Sequence, residues 1–266
     1  GGKVTVGQKG MDNSQSDYTD IIAEKAEIKG GVWSKKGIKV TTGKNNVDRT
    51  NDSVVYVGDK NTDNTDRTSD TQGENQSYSV DVSQLGGMYS EKIHLVDNGQ
   101  GLGVRNAGHI GASAGSVKID SQGKIVNEGV INGVDNIHLH TAVATNTGKI
   151  ESKQGQIDLN AKSITQDGSV IARKGNVSLK GNVVRQKGET VAKGRVDYDA
   201  KSIVADKTAF IAAGVNITED KGKVVRTLDA AHVAGSGITL KGDNSVTMHG
   251  KQVASGNIAV QGGALN

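Results

Sequence analysis

The sequence predicts an all-β chain wound as a parallel β-helix, and three observations carry that prediction. The first is a corner motif of Asn or Gln, any residue, then Gly, whose glycines fall at 108, 129, 148, 168 and 188, in steps of 21, 19, 20 and 20. The second is a series of apolar pairs: Val117-x-Ile119, Ile137-x-Leu139, Ile157-x-Leu159, Val177-x-Leu179, Val196-x-Tyr198, Val215-x-Ile217, Ile238-x-Leu240 and Ile258-x-Val260. Side chains two apart on a strand share a face, so each pair supplies two inward positions of one short strand. The third is a set of apolar residues placed two before the Asn or Gln (Ile125, Ile164, Val184) or two after the Gly (Ile110, Ile131, Ile150, Val170). Together they give a solenoid of about 20 residues and three strands per rung. A single rung cannot cover its own apolar residues, but stacked rungs cover one another. At about 4.8 Å per rung, these eight rungs predict a rod about 35 to 40 Å long.

Taken in order, Lys3-Val4-Thr5-Val6 alternates as a strand does, and so does Ile38-Lys39-Val40. Between them Ile21–Ile28 is ambiguous, since its Ala, Glu and Lys suit a helix while Gly30 and Gly31 follow at once and Val32-Trp33 resumes a strand register. Residues 1–43 are expected to be irregular coils of the same architecture. From Lys44 to about Ser79 the composition turns to Asn, Asp, Thr, Ser and Gly, broken only by Val54-Val55-Tyr56-Val57. With so little to bury, this stretch predicts a polar insertion projecting from the main body as a loop or hairpin. Apolar residues return as Val80, Val82, Leu85, Met88, Ile93 and Leu95. The corner glycines are assigned to backbone with positive φ, and the Asn and Gln amides to rung-to-rung hydrogen bonds. After Gly188 the motif decays to Ala205-Asp206-Lys207, which predicts irregular corners. Residues 1–116 and 117–266 are treated as two parts of one continuous β-helix. The opening Gly1-Gly2-Lys3 has neither Met nor an apolar leader, and the last pair leaves an uncapped edge, so a longer parent chain is expected at both ends.

Composition narrows the function classes. The chain has no cysteine, which excludes disulfides and thiolate metal sites. Net charge is +3, with both signs interleaved along the chain rather than gathered into a basic stripe, so no nucleic-acid partner is expected. No apolar run is long enough for a membrane-spanning helix. Aromatics make up only 3%, which argues against a surface that stacks sugars or bases.

Candidate chemistry is sparse. His138 and His140 flank Leu139 and share an outward face, a spacing that can hold a metal. The 20-residue offset puts Asp158 and Asn160 on the next rung and Lys118 and Asp120 on the previous one, a mixed column rather than a ligand set. His109, His232 and His249 have no ligand partners in the pattern. Asp59-Lys60-Asn61-Thr62-Asp63-Asn64, with Asp70 further on, imitates a calcium loop, but Asn64 stands where Gly is needed and Asp70 where a bidentate Glu is needed. A glycosidase would need two carboxylates about 5 to 10 Å apart in a groove. The outward Asp120, Asp158, Asp197 and Asp199 are expected on different rungs among Lys, Ser and Asn, with no aromatic groove walls. An ice- or mineral-binding face would need ranks of Thr, whereas the column Lys118, His138, Asp158, Ser178 is irregular. The expectation is therefore no catalytic residue, no cofactor and no metal site.

Asp81-Val82-Ser83-Gln84-Leu85-Gly86-Gly87-Met88-Tyr89-Ser90-Glu91-Lys92-Ile93-His94-Leu95-Val96 resembles the two-partner-secretion exoproteins, which include filamentous haemagglutinins, haemolysins and contact-dependent inhibition exoproteins of Gram-negative bacteria. Gly103-Val104-Arg105-Asn106-Ala107-Gly108-His109-Ile110-Gly111-Ala112-Ser113 and Asp17-Tyr18-Thr19-Asp20-Ile21-Ile22-Ala23 are similar to them again. These blocks carry the resemblance from about residue 3 to 130, and beyond that it rests on the generic haemagglutinin-type repeat. The resemblance implies a right-handed β-helix, export through an outer-membrane transporter, and a secreted or cell-surface location. It also implies adhesion or contact-dependent growth inhibition, with a host or target-cell receptor engaged by the full-length protein. A haemolysin of the same secretion family is the alternative, and a β-helical polysaccharide enzyme lies further off. The family's recognition motif Asn-Pro-Asn-Gly cannot occur in a chain without proline, so the resemblance implies that 1–116 is the later part of the secretion domain, running into the repeat shaft, and engagement of the pore by this segment alone is in question.

Overall fold

A computed structural model describes residues 2–43, 54–56 (backbone only), 77–99, 101–228 and 235–263. The described residues are strands and turns, with no helix. The strands stack in parallel on three faces, and the third face is a ten-stranded sheet, so the solenoid has about ten turns. At about 4.8 Å per strand the stack is about 43 Å long.

The first face is defined by two inward columns. One runs Thr19, Ile38, Ile93, Val117, Ile137, Ile157, Val177, Val196, Ile238 and Ile258. The other holds Leu95, Ile119, Leu139, Leu159, Leu179, Tyr198 and Leu240. The second face stacks Val104, Ile125, Ala144, Ile164, Val184 and Ile203, and the third stacks Met88, Ile110, Ile131, Ile150, Val170, Thr190 and Ile211. All of these but Ile258 are buried. The strands Ile137–Asn146, Ile157–Gln166, Val196–Ala205 and Ile238–Met248 each serve both the first and the second face.

Several expectations are corrected. Ile21–Ile28 is not helical: Tyr18–Ala23 and Lys25–Ile28 are strands of the first and second faces, in register with the rungs that follow. Residues 3–42 are therefore regular rungs. Leu85 lies on a corner at 77% exposure and stays outside the core. The polar insertion does not simply project, because Val54–Tyr56 returns to pair in parallel with Asp20, Ile21 and Ile22. It thereby covers the outer edge of the first strand of the first face, an edge that would otherwise present unpaired amides and carbonyls.

The corner glycines also work differently from expectation. None of the five has positive φ. What they need is space: a Cβ on Gly129, Gly148, Gly168 or Gly188 would lie 2.0–2.1 Å from the carbonyl oxygen of the glycine one rung earlier. Beside this column the preceding amides turn inward. Asn106 Nδ2 donates to Asn127 Oδ1 at 3.0 Å, Asn127 to Asn146 at 2.9 Å, and Asn146 to Gln166 Oε1 at 2.8 Å. The same nitrogens also donate to carbonyls across the corner, such as Val130, Lys149 and Ser169. A second polar corner joins the first and second faces, where buried Asp97 accepts from Thr42 Oγ1 at 3.0 Å and from Ser121 Oγ at 2.8 Å. The irregular corner expected after Gly188 is present: Ala205 replaces the amide, and Asp206–Ala209 closes through an Ala209 N–H donating to Asp206 O at 2.9 Å. On the strand that leads into this corner Tyr198, in a column otherwise filled by Leu, Ile and Val, points inward and its hydroxyl bonds Gln186 Oε1 and Thr190 Oγ1 of the preceding rung.

Val215-x-Ile217 is not a rung. Val215–Asp220 and Lys223–Leu228 form an antiparallel hairpin, and the Val196 rung pairs directly with Ile238. The two-residue loop Lys221-Gly222 has φ of 50° and 77°, the left-handed pair that suits a tight hairpin turn. The hairpin lies on the outside of the third face. There Val215 and Ile217 cluster with Ile171, Val191 and Ala212, an outward column that would otherwise be wet.

Gly148→Ala should lower stability by about 2–3 kcal/mol, because backbone rather than a flexible side chain must move. Gly7→Ala, with nothing within 4 Å of the added Cβ, should stay within about 0.5 kcal/mol; equal melting points for the two would refute the close-approach assignment. Tyr198→Phe should cost about 1–3 kcal/mol by stranding Gln186 Oε1 in the core, measured by chemical denaturation against wild type.

Candidate functional surfaces

The outer surface of the first face carries the titratable residues singled out in the sequence. His138 stacks between Lys118 and Asp158, and His140 between Asp120 and Asn160, the mixed arrangement expected from the period. His138 Nδ1 is 3.8 Å from Asp158 Oδ2, and His140 Nδ1 is 3.7 Å from Asp120 Oδ1. The spacing rule missed His94, whose Nε2 is 3.5 Å from the other oxygen of Asp120. His94 pairs with Lys118 from further upstream than the period places it, because the turn carrying it is longer. Burial pushes the His94 imidazole below its ordinary value, against the pull of Asp120, and Lys39 and Lys118 add to the depression. Two imidazoles on one carboxylate, rimmed by lysines, make a weakly coupled polar surface. Among the described residues, no three His, Asp or Glu side chains converge as a metal-binding group.

The four outward aspartates stand on the same sheet surface. Asp158 and Asp197 share one column, two rungs apart, and Asp120 and Asp199 belong to the other. Asp197 and Asp199 share a rung, contrary to the expected separation, but Asp197 is taken up by Arg195 at 3.1 Å. Lys118, His138, Asp158 and Ser178 do form one column, so that rank is chemically irregular. His249 is exposed, while His232 and the Asp59 to Asp70 stretch lie outside the described residues.

The third face carries two features not anticipated. One is the hairpin just described, held by charge as well as by apolar contact. Arg226 makes a two-pronged contact with Glu189, at 2.5 and 2.9 Å, and Arg173 joins Glu219 at 2.8 Å while also bonding Glu151. The Arg226 guanidinium holds the Glu189 carboxyl below its usual range. Burial alone would raise Glu151, but Lys149 and Arg173 hold it below its usual range as well. The other feature is aromatic. Trp33 stacks on Tyr89 with ring centroids 4.2 Å apart, and Tyr89 meets His109 edge-on at 5.2 Å. His109 Nε2 in turn bonds Asn132 Oδ1. The rings are few, and Trp33 and Tyr89 lie together. Trp33 and Tyr89 lie on opposite sides of the polar insertion in sequence, and only the pairing of Gly31–Ser34 with Gly87–Ser90 brings them together.

Glu151 and Glu189 have folded-state values below the ordinary 4.5. Their contribution to holding the hairpin is therefore complete at neutral pH and lost as pH falls below 4.5 through the folded values. Acidification should raise amide exchange in Val215–Leu228 before it does so in Ile157–Gln166, and Glu189→Gln should reproduce part of that loosening at neutral pH. Simultaneous loss of protection in both segments would count against an electrostatic clamp.

Residues 1–127 match the family of TPS secretion domains. Over 141 residues the chain is 35% identical to a protein named Toxin CdiA from Yersinia pestis, covering 53% of this chain and 4% of that protein. Over 265 residues it is 25% identical to a tRNA nuclease CdiA from Escherichia coli O6:K15:H31, covering 100% of this chain and 7% of that protein. A Toxin CdiA from Escherichia coli is 26% identical over the same length. The chain thus spans only 4–7% of the length of these relatives. No solved structure matches.

Proposed function

Because the chain is a segment of a secreted two-partner-secretion exoprotein, with a TPS secretion domain over residues 1–127, we propose that it is a non-catalytic shaft that links secretion to display in contact-dependent growth inhibition. In this proposal the first part, to about residue 116, is handled by the outer-membrane transporter during export. The part from 117 onward holds distal receptor-binding and toxin regions away from the cell surface. The nuclease activity for which several relatives are named is assigned to parts of those proteins outside the matched stretch. Neither nucleic acid nor a cofactor has a role in this segment.

The observation that carries the proposal is the unbroken ladder across the boundary. Ile93, Val117, Ile137 and Ile157 pair in one column without a change of register. A rod whose core runs from the secretion domain into the repeats has no hinge there, which is what a spacer requires. Among the described residues no helix is long and apolar enough to cross a membrane.

Removing residues 1–127 from the full-length exoprotein should abolish its appearance outside the cell. Removing one rung, residues 157–176, should leave export and surface display intact while shortening the shaft by about 4.8 Å. Export without residues 1–127 would overturn the first assignment, and loss of display on removing one rung would overturn the second. Release of new reducing ends from oligosaccharides by the purified segment would move the function to a polysaccharide enzyme.

A further inference from the structure

The indole of Trp33 is half exposed at 49%, on the outward side of its strand. Its strand, Gly31–Ser34, lies between Met11–Asn13 on one side and Gly87–Ser90 on the other. Tyr89 covers the ring from the second side. Among the described residues no ring covers the first side, and there the register sets Asp12 opposite Trp33. A pocket of about 310 Å³ occupies that space, lined by Lys9, Met11, Asp12, Ser14, Gly31 and Trp33. It is a shallow depression open to solvent, so a ligand there would rest on the indole face rather than be enclosed.

The ring is seated rather than loose. A Cβ on Gly31 would lie 2.8 Å from Trp33 Nε1, and one on Gly87 would lie 2.5 Å from the Tyr89 hydroxyl, so both rings lean over glycines of their own strands. Stacking on Tyr89, with Tyr89 braced by His109, fixes the orientation of the free indole face. The polar groups around it are of opposite sign. Asp12 Oδ1 accepts from the Ser14 N–H at 2.9 Å, and the Ser14 side chain also bonds the carboxylate, which holds the loop at the edge of the pocket. The Ser14 bonds hold the Asp12 carboxyl below its usual range, so it is a charged acceptor. Lys9 supplies a donor.

We propose that this pocket is a glycan site that takes a neutral hexose ring, stacked by its C–H face on Trp33 with its hydroxyls bonded to Asp12, Ser14 and Lys9. A flat aromatic face beside a carboxylate acceptor and an ammonium donor matches a ligand that is apolar on one face and polyhydroxylated at its edge. One positive and one negative group cancel at the rim, which disfavours both a free anion and a quaternary or guanidinium cation. The site lies within the secretion domain, but it does not depend on the shaft role proposed above.

Trp33 is the single tryptophan of the chain, so intrinsic fluorescence reports this pocket alone. The purified segment would be titrated to millimolar concentrations with glucose, galactose, N-acetylglucosamine and their β-linked disaccharides, and separately with betaine and arginine methyl ester. A saturable blue shift with at least one sugar is expected. By calorimetry, affinity for that sugar should fall at least about tenfold in Trp33→Ala, and also fall in Asp12→Asn and Gly31→Ala, with unchanged circular dichroism. Should Trp33→Ala fail to fold, the Asp12→Asn comparison decides. No saturation with any sugar, saturation by the cations only, or undiminished sugar binding in the folded variants would each overturn the proposal.

Discussion

The whole molecule depends on the rungs approaching one another at the spacing of backbone hydrogen bonds while the chain turns three corners per rung. On a flat face that spacing is undemanding, because side chains alternate in and out and each covers its copy one rung away. At a corner the backbone must come just as close without strand geometry to organise it. Two devices meet that demand. Where Gly108, Gly129, Gly148, Gly168 and Gly188 stack, the side chain is omitted so that carbonyls can pack against α-carbons. Where Asn106, Asn127, Asn146 and Gln166 stack, amides enter the core and satisfy both one another and the corner carbonyls. Buried polar groups are tolerable only when so satisfied.

The same constraint explains how the surface acquires its character. Inward columns are held mostly to apolar residues by packing, whereas in the outward columns neighbouring rungs need share no chemistry. His94, Lys118 and His138 follow one another in one column and Trp33, Tyr89, Gly111, Asn132, Glu151, Ile171 and Val191 in another. That second column passes from aromatic to polar to apolar along the shaft. Its aromatic end faces a pocket and its apolar end is roofed by the hairpin. A feature built on such a surface is local to two or three rungs.

Much of this was legible in the sequence where the period holds. From Val117 to Tyr198 the inward columns can be written down from spacing alone, and the pairing of His140 with Asp120 follows from the same offset. Legibility failed wherever chain was added without changing the apparent phase. The segment between Val196 and its partner Ile238 is about twice the ordinary period, so Val215 fell near its middle and passed for a rung. The alternative signal was present in Glu219-Asp220-Lys221-Gly222-Lys223, a tight turn between two alternating runs. The aromatic stack and the role of Val54–Tyr56 were hidden by the long insertion, which separates partners that only register reunites. The corner glycines were found by spacing, but their reason, close approach rather than dihedral freedom, needs the neighbouring rung in place.

The pairing of Val54–Tyr56 with Tyr18–Ala23 has a kinetic side. The outer edge of the earliest strand on the first face is closed by chain that comes later in sequence, where Val54 returns to Asp20. For a polypeptide delivered amino-terminus first, the start of the rod on that face stays open until the insertion has emerged, and is then closed from within the same chain. Thereafter, on that face, new rungs can be added in one direction only. With Val54–Tyr56 on one edge of Tyr18–Ala23 and Gly37–Thr42 on the other, both edges of that strand are satisfied within the chain, so no further strand can pair with it there.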